Sequence, residues 1–397
     1  MPARPKPVSP RSVASPRDEA FKMACFFFCV AQVVYLAAAF ALHQWLIDAE
    51  GRGIPTDFVN VWAAGKLALL GYPDWAYIWK VHKEIENAAV GYTFAGYYGW
   101  HYPPPFLFVA SLLALLPYAL AYAAWVAVTL PGYLVAIRAI VGEKIGWLVA
   151  FAFPSVLSNA MVGQNGFFTA SLIGGTLYFM EKRPVWSGVC LGLLTYKPQF
   201  GVLFPLALIA ARRWQVFAVA AAVALAMAGA ATLAFGVASW QAFVHWLPIT
   251  SQTFLSEGQA SFGKLQSLYG LVRSAGGGEP LGWLLQGMLS AAVAATVCFY
   301  WYRKAPFALQ AALLIAGALL ATPYVYLYDT VVLAVAVAYL VRVALAAGFL
   351  PGEEIALLAA AMLIFAYPFF SLPLGFAAIV IVFALVLLRL IATKSRA

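Results

Sequence analysis

The chain has 397 residues, of which 64% are hydrophobic and 10% are charged, whereas about 25% of the residues in ordinary soluble domains are charged. This balance excludes a soluble globular protein, because apolar runs long enough to cross a bilayer, about 20 residues as a helix, recur from residue 22 onward. The net charge of +9 does not indicate a nucleic-acid partner, since Lys and Arg stand in short clusters between apolar runs, as the positive-inside rule describes. We therefore predict an all-α polytopic membrane protein, in contact with membrane lipids, with one transmembrane domain over residues 22–393.

The two ends of the chain are expected to be cytoplasmic. Residues 1–21 are rich in Pro, Ser and basic residues, which predicts a disordered tail. The apolar run over about residues 22–47 has the basic flank of a signal peptide, but it is longer than a usual signal-peptide core and so predicts a retained first helix. Residues 394–397 form a second short tail.

Asp57 follows this first span closely, in "GIPTDFVNVWAAGKLALLGYPDW" (residues 53–75). It opens a predicted external loop over residues 48–105. A carboxylate at the membrane edge can act as a general base for an incoming hydroxyl. The alternative is that Asp57 caps the next helix, since Asp is favoured at that position. Asn60, three residues later, is a candidate for binding acceptor or sugar hydroxyls.

The same loop closes with "GWHYPPPF" (residues 99–106), which contains His101 and Tyr102. A rigid edge of aromatic and imidazole groups suits the head group of a donor, although an ordinary aromatic belt with a solvated His explains the pattern equally. The apolar run 103–117 is bounded by prolines and is too short for a core of about 30 Å. We predict that it lies at the outer interface and that about twelve spanning helices remain.

Two further turns on the same predicted side carry polar residues. Gln164 and Asn165 in "SNAMVGQNG" can recognise sugar hydroxyls or cap the flanking helices. In "TYKPQ", which should separate two short helices, Lys197 is a cation at reduced hydration that requires an anion such as phosphate. The alternative for Lys197 is that its side chain extends to the interface.

The second predicted external loop covers residues 237–280. Its charged residues are weaker candidates, because exposed loop charges are usually only solvated: His245, Lys264 and Arg273. Further along, "TPYVYLYD" places Tyr328 beside Asp329, another carboxylate at the membrane edge. No pair of His residues has metal-ligand spacing and no nucleotide-binding signature is present, so we expect neither a metal nor a cofactor.

These motifs together resemble glycosyltransferase family 87, which consists of GT-C-type membrane enzymes related to the polyprenol-phosphate-mannose-dependent mannosyltransferase of phosphatidylinositol mannoside synthesis. The resemblance rests on "TDFVNVWAAGKLALLG", "YPPPFLFVASLLALLPY", "VGQNGFFTASL", "GVCLGLLTYKPQFGVLFPLAL" and "TPYVYLYD" and extends over about residues 20–390. It implies a GT-C-type bundle of about twelve helices with juxtamembrane helices in the first external loop. It also implies a polyprenyl-phosphate sugar donor, Asp57 as the catalytic base and Lys197 near the lipid phosphate. In some members a histidine lies near the donor in the region of "TPYVYLYD", and this chain has none there.

The leading hypothesis is an inner-membrane enzyme that transfers a hexose, mannose before others, to a lipid or glycan acceptor on the periplasmic side. One carboxylate and one buried lysine suffice for this reaction, because the departing phosphate needs no proton. An alternative is a transporter or flippase, since Pro- and Gly-broken helices also mark transport sites. A third possibility is a glycan polymerase or ligase, but such enzymes are expected to carry loops richer in Arg or His.

Overall fold

The computed structural model describes residues 16–259, 261–370 and 372–394, and this part of the chain is helical apart from turns and two isolated bridges near residues 45–53. Most of the two predicted tails, residues 1–15 and 395–397, lies outside the described residues. The α-helices are α1 (Pro16–Ala41), α2 (Phe58–Leu69), α3 (Trp79–Val90), α4 (Leu107–Leu113), α5 (Tyr118–Val141), α6 (Ile145–Ala152), α7 (Ser155–Val162), α8 (Gly166–Phe179), α9 (Pro184–Leu193), α10 (Leu203–Ala210), α11 (Trp214–Ser251), α12 (Leu268–Ser274), α13 (Glu279–Tyr302), α14 (Phe307–Ala321), α15 (Leu333–Ala347), α16 (Glu353–Ala366) and α17 (Leu374–Lys394).

The helices long and apolar enough to cross a membrane are fewer than expected. Six qualify among the described residues, and the pair α6 and α7, bent by 59°, gives a seventh if it is one span. The predicted count of about twelve is not confirmed, because other apolar helices have only 10–17 residues, whereas a span needs about 20. The six long spans are Glu19–Ala41, Tyr118–Val141, Trp214–Ser256, Glu279–Tyr302, Leu327–Ala347 and Leu374–Thr393.

The first helix is shifted from its predicted bounds. It begins at Pro16 instead of residue 22 and ends at Ala41 instead of residue 47. The chain turns sharply after it, where His43 and Leu46 both have positive φ angles, a conformation that is uncommon for residues with a side chain. The turn brings the following residues back toward the protein, ahead of α2.

The first predicted loop contains two helices, α2 and α3, as the family resemblance implies. α2 crosses α4 closely at Gly65, where a Cβ atom would lie 2.0 Å from the carbonyl oxygen of Ala110. A larger residue at this crossing would push the helices apart. The run 103–117 forms a short apolar helix over Pro104–Leu113, about half the length that a span requires.

The second half of helix α11 lies in the second predicted loop and packs against the first predicted loop. The helix is interrupted at Gly236, whose φ of 76° lies in the left-handed region that favours glycine. The interruption falls at the predicted start of the second loop, but the chain remains helical beyond it to Ser251. In this second half, Phe243 packs on Tyr77 and Trp246 stacks on Trp79. The turn Pro73–Tyr77 and the start of α3 therefore pack against the second half of α11.

Two features of the remaining chain position the site. The segment "TYKPQ" separates α9 from α10, as predicted. Two short 3-10 turns, Leu194–Tyr196 and Pro198–Phe200, lie on either side of Lys197. Helix α14 is buried along nearly its whole length in the interior of the bundle, and α15 is buried over most of its first nine residues. The 3-10 turn Leu327–Val332 at the start of α15 packs against α7 and α8.

Candidate active site

Asp57 immediately precedes α2 but does not cap it. Its backbone is already helical, and its side chain makes no hydrogen bond to the first turn, which a capping Asp would make. The carboxylate Oδ2 instead accepts a hydrogen bond of 3.2 Å from Nε2 of Gln164. The side chain is partly buried. The capping alternative for Asp57 is therefore wrong, and the carboxylate faces a neighbouring turn.

Gln164 links Asp57 to Tyr102, because its Oε1 accepts a hydrogen bond of 3.1 Å from the Tyr102 hydroxyl. Gly163, with a φ of 66°, ends α7 and turns the chain so that the amide faces Asp57. A Cβ atom at Gly163 would come within 2.5 Å of the Tyr122 ring, so this turn requires glycine. Both polar ends of the Gln164 amide are therefore fixed by contacts.

Lys197 lies in the interior and forms an ion pair. Its Nζ donates to Oδ1 of Asp329 at 2.6 Å and to Oδ1 of Asn165 at 2.7 Å. Lys197 is 5% exposed and Asp329 is 2% exposed, so the alternative in which Lys197 extends to the interface is wrong. Asn165 does not cap α8 with its side chain. Instead Asn159 accepts a hydrogen bond from the backbone N–H of Gly166 at 2.9 Å.

Several charges act on Asp57 together. Burial raises the pKa of the Asp57 carboxyl from 3.8 to about 6, while the Gln164 hydrogen bond, Lys264 and Lys197 lower it and Asp329 raises it. A carboxyl with a pKa near 6 is ionised at neutral pH and is a stronger base than an ordinary aspartate. Asp57 is therefore affected by charges from the second predicted loop (Lys264), from "TYKPQ" (Lys197) and from "TPYVYLYD" (Asp329).

Tyr328 lies beside this cluster, and Asn60 lies in the first turn of α2, after Asp57. The ring of Tyr328 lies 5.6 Å from Lys197 Nζ and stacks on Tyr326 at a centroid distance of 5.6 Å. Asn60 is 5% exposed, and its Oδ1 has no hydrogen-bond partner among the described residues. A buried amide oxygen without a partner is costly.

His101 has other neighbours. Its Nδ1 is 3.2 Å from Oγ1 of Thr250, and its ring packs edge-on against Phe254 at 5.1 Å. Burial lowers the pKa of His101 to about 4, so the imidazole is neutral near neutral pH. His101 therefore joins the first loop to the end of α11.

Two residues outside the motifs also interact electrostatically with Asp57. Lys264, ranked as a weak candidate, is exposed and acts electrostatically on Asp57. Burial raises the pKa of Tyr98 to about 12, and the negative charges of Asp57 and Glu86 add to the rise. Neither residue lies in a motif, and the only signal in the sequence was a charge or an aromatic ring within a predicted external loop.

This fold and this cluster define a multi-pass membrane protein whose buried charges and amides gather in one site. Residues 100–323, more than half of the chain, match the model of glycosyltransferase family 87. The protein belongs to that family and is a membrane glycosyltransferase, as the resemblance predicted. The matched region contains Gln164, Lys197 and Lys264, whereas Asp57 precedes it. No curated protein matches the chain, and no solved structure does so either.

Proposed function

We propose that this glycosyltransferase takes a hexose, mannose before others, from a polyprenyl phosphate and transfers it to a lipid or glycan acceptor on the extracytoplasmic side of the plasma membrane. The observation that carries the proposal is the Asp57 carboxylate, which is partly buried, held by Gln164 at 3.2 Å, and not engaged in capping α2. A carboxylate held in this way, with a raised pKa, suits the role of general base.

In the proposed step, Asp57 takes the proton of the acceptor hydroxyl as its oxygen bonds to the anomeric carbon of the donor sugar. The bond between that carbon and the phosphate oxygen breaks, and its electron pair leaves with the polyprenyl phosphate. The leaving group is stabilised as an anion, so a second carboxylic acid of the kind that glycoside hydrolases use is not required.

The remaining site residues have supporting roles in this proposal. Lys197 has three N–H donors, and Asp329 and Asn165 use two of them, so one remains for the donor phosphate. Tyr102 reaches the site through Gln164, and the Tyr328 ring offers a face on which a sugar can stack. Asn60 Oδ1 is the candidate acceptor for a sugar hydroxyl.

The test is transfer of radiolabelled sugar by the purified full-length protein in lipid, with a membrane extract as acceptor. Several polyprenyl-phosphate hexoses are supplied in parallel, with Asp57→Asn beside the wild type and Asp74→Asn as a control from the same loop. We expect transfer by the wild type and by Asp74→Asn, and a loss of about 10²–10⁴-fold in Asp57→Asn, the usual contribution of a general base. Equal transfer by Asp57→Asn and the wild type would refute the role of the base.

The transporter hypothesis has its own outcome in the same experiment. If the wild type binds the lipid phosphates but transfers no sugar from any of them, the broken helices around Lys197 would serve transport instead of catalysis. Sugar release into product distinguishes the two functions directly.

A further inference from the structure

The charge balance of the proposed donor site is incomplete without another cation. Asp329 neutralises Lys197 at 2.6 Å, and the ionised Asp57 adds one negative charge. A donor phosphate would bring a second negative charge into a partly desolvated space, where unpaired like charges repel strongly. Lys197 can donate a hydrogen bond to that phosphate, but the Lys197–Asp329 pair supplies no net positive charge.

Lys264 is the neighbouring cation whose charge is not already balanced. Its side chain is exposed, and none of the ion pairs in the described parts of the chain involves it. Arg273, the other basic residue of the second loop, pairs with Glu279 at 3.7 Å and donates to the Ser256 carbonyl oxygen at 2.9 Å. Arg273 is therefore committed to its own loop, whereas Lys264 is available to a ligand.

The turn that carries Lys264 is anchored to the site. The backbone N–H of Gln266 donates to the Val325 carbonyl oxygen at 2.7 Å, in the same segment that carries Asp329. The buried Gln266 side chain donates to the Lys264 carbonyl oxygen at 3.0 Å and accepts from the backbone N–H of Gly375 at 2.7 Å. These bonds connect the second loop to the start of α15 and to α17.

Apolar packing supports the same arrangement. Leu265, immediately after Lys264, is 1% exposed and belongs to a small apolar cluster against which Tyr324 and Tyr326 pack. The backbone N–H of Tyr326 in turn donates to Oδ2 of Asp329 at 3.0 Å. The backbone under Lys264 is thus fixed relative to the buried ion pair, while its side chain is exposed.

We propose that Lys264 binds the phosphate of the polyprenyl-phosphate donor and supplies the net positive charge that the Lys197–Asp329 pair does not. This inference rests on the proposed function and assigns a residue to its donor site. The ammonium of Lys264 donates charge-assisted hydrogen bonds to the phosphate oxygens and screens them from Asp57.

The test measures binding rather than turnover. Purified full-length protein in lipid nanodiscs is titrated with farnesyl phosphate and, as a probe without a charged group, with farnesol. The variants are Lys264→Gln, Lys264→Arg and, as a matched control, Lys80→Gln, which removes an exposed lysine of α3. Thermal denaturation of each variant confirms that it is folded.

We expect Lys264→Gln to weaken the binding of farnesyl phosphate by about tenfold or more, the value of one charge-assisted hydrogen bond. Farnesol binding should be unchanged, and Lys264→Arg and Lys80→Gln should bind farnesyl phosphate as the wild type does. Added salt should weaken binding to the wild type more than to Lys264→Gln, since screening acts on the exposed charge.

Two results would overturn the inference and separate it from the proposed function. If Lys264→Gln and the wild type bind farnesyl phosphate equally, Lys264 is not a phosphate ligand, whereas the transfer reaction and Asp57 are unaffected. If the wild type itself does not prefer farnesyl phosphate to farnesol, the lipid-phosphate donor is wrong and the role of Lys264 fails with it.

Discussion

Replacing Asp57 with Asn should reduce transfer by about 10²–10⁴-fold and at the same time stabilise the folded protein. Asn retains an oxygen that can accept the hydrogen bond from Gln164, so the contact at 3.2 Å can persist. What disappears is a carboxylate that the surrounding protein desolvates. Sites that hold a strained or desolvated catalytic group commonly gain stability when that group is removed.

The magnitude follows from the pKa of Asp57. Burial raises it from 3.8 to about 6, and each unit corresponds to about 1.4 kcal/mol, so the ionised carboxylate lowers the stability by up to about 3 kcal/mol near neutral pH. Because the pKa is raised in the folded state, this penalty is absent well below pH 3.8, grows as pH rises and is complete above about pH 6. Asn does not titrate, so the advantage of the variant over the wild type should follow the same curve.

The assay compares the thermal stability of the wild type and Asp57→Asn in the same detergent at about pH 7.5 and about pH 5, where roughly half of the difference should remain. Asp74→Asn controls for the loss of a carboxylate elsewhere in the loop and should leave the stability unchanged. If Asp57→Asn is no more stable than the wild type at about pH 7.5, Asp57 is well solvated, and the reasoning that makes it a raised-pKa base is wrong.

Three further predictions follow from the same contacts. The rate of transfer should fall as pH drops through about 6, because Asp57 must be ionised to accept a proton. In the Lys264→Gln variant this acidic limb of the pH–rate profile should lie at higher pH, because a positive charge that lowers the pKa of Asp57 is lost. Gln164→Leu should also move the acidic limb to higher pH and reduce kcat more than it changes KM, because the hydrogen bond that orients the Asp57 carboxylate is removed. An unchanged pH–rate profile would contradict the hydrogen bond between Gln164 and Asp57. Asp329→Asn should destabilise the protein by about 3–5 kcal/mol, the usual consequence of leaving one member of a buried ion pair unpaired. In a thermal denaturation experiment, the double variant that also carries Lys197→Met should recover much of this loss. If Asp329→Asn alone is as stable as the wild type, the ion pair is not desolvated.

The sequence predicted the kind of fold better than its details. Hydropathy identified the helices and the break at "TYKPQ", because prolines and polar residues interrupt apolar runs there. The predicted number of spans is not confirmed, since several apolar helices are shorter than a span needs. Helix α14 has 15 residues and is almost wholly buried within the bundle, so its apolar character reflects the protein interior.

The site was predicted in its parts but not in its pairing. Asp57, Gln164 and Lys197 stood out as polar residues at turns between apolar runs. The ion pair between Lys197 and Asp329 joins positions far apart in the chain, and the turn Leu327–Val332, which carries Asp329, packs on α7 and α8. The sequence does not indicate a role for Lys264 either, because the position of its turn depends on the hydrogen bonds of Gln266.

The sensitivity of Asp57 to the charge of Asp329 has a consequence for the timing of the proposed reaction. A sugar on a polyprenyl phosphate is a diester with one negative charge, whereas the departing polyprenyl phosphate is a monoester that approaches two near neutral pH. Asp57 already responds to a carboxylate on the other side of the cluster. As the bond to the sugar breaks, the growing charge on the phosphate should therefore increase the proton affinity of Asp57. Asp57 becomes a stronger base as the polyprenyl phosphate departs, so that proton transfer to Asp57 and cleavage of the bond to the phosphate favour each other.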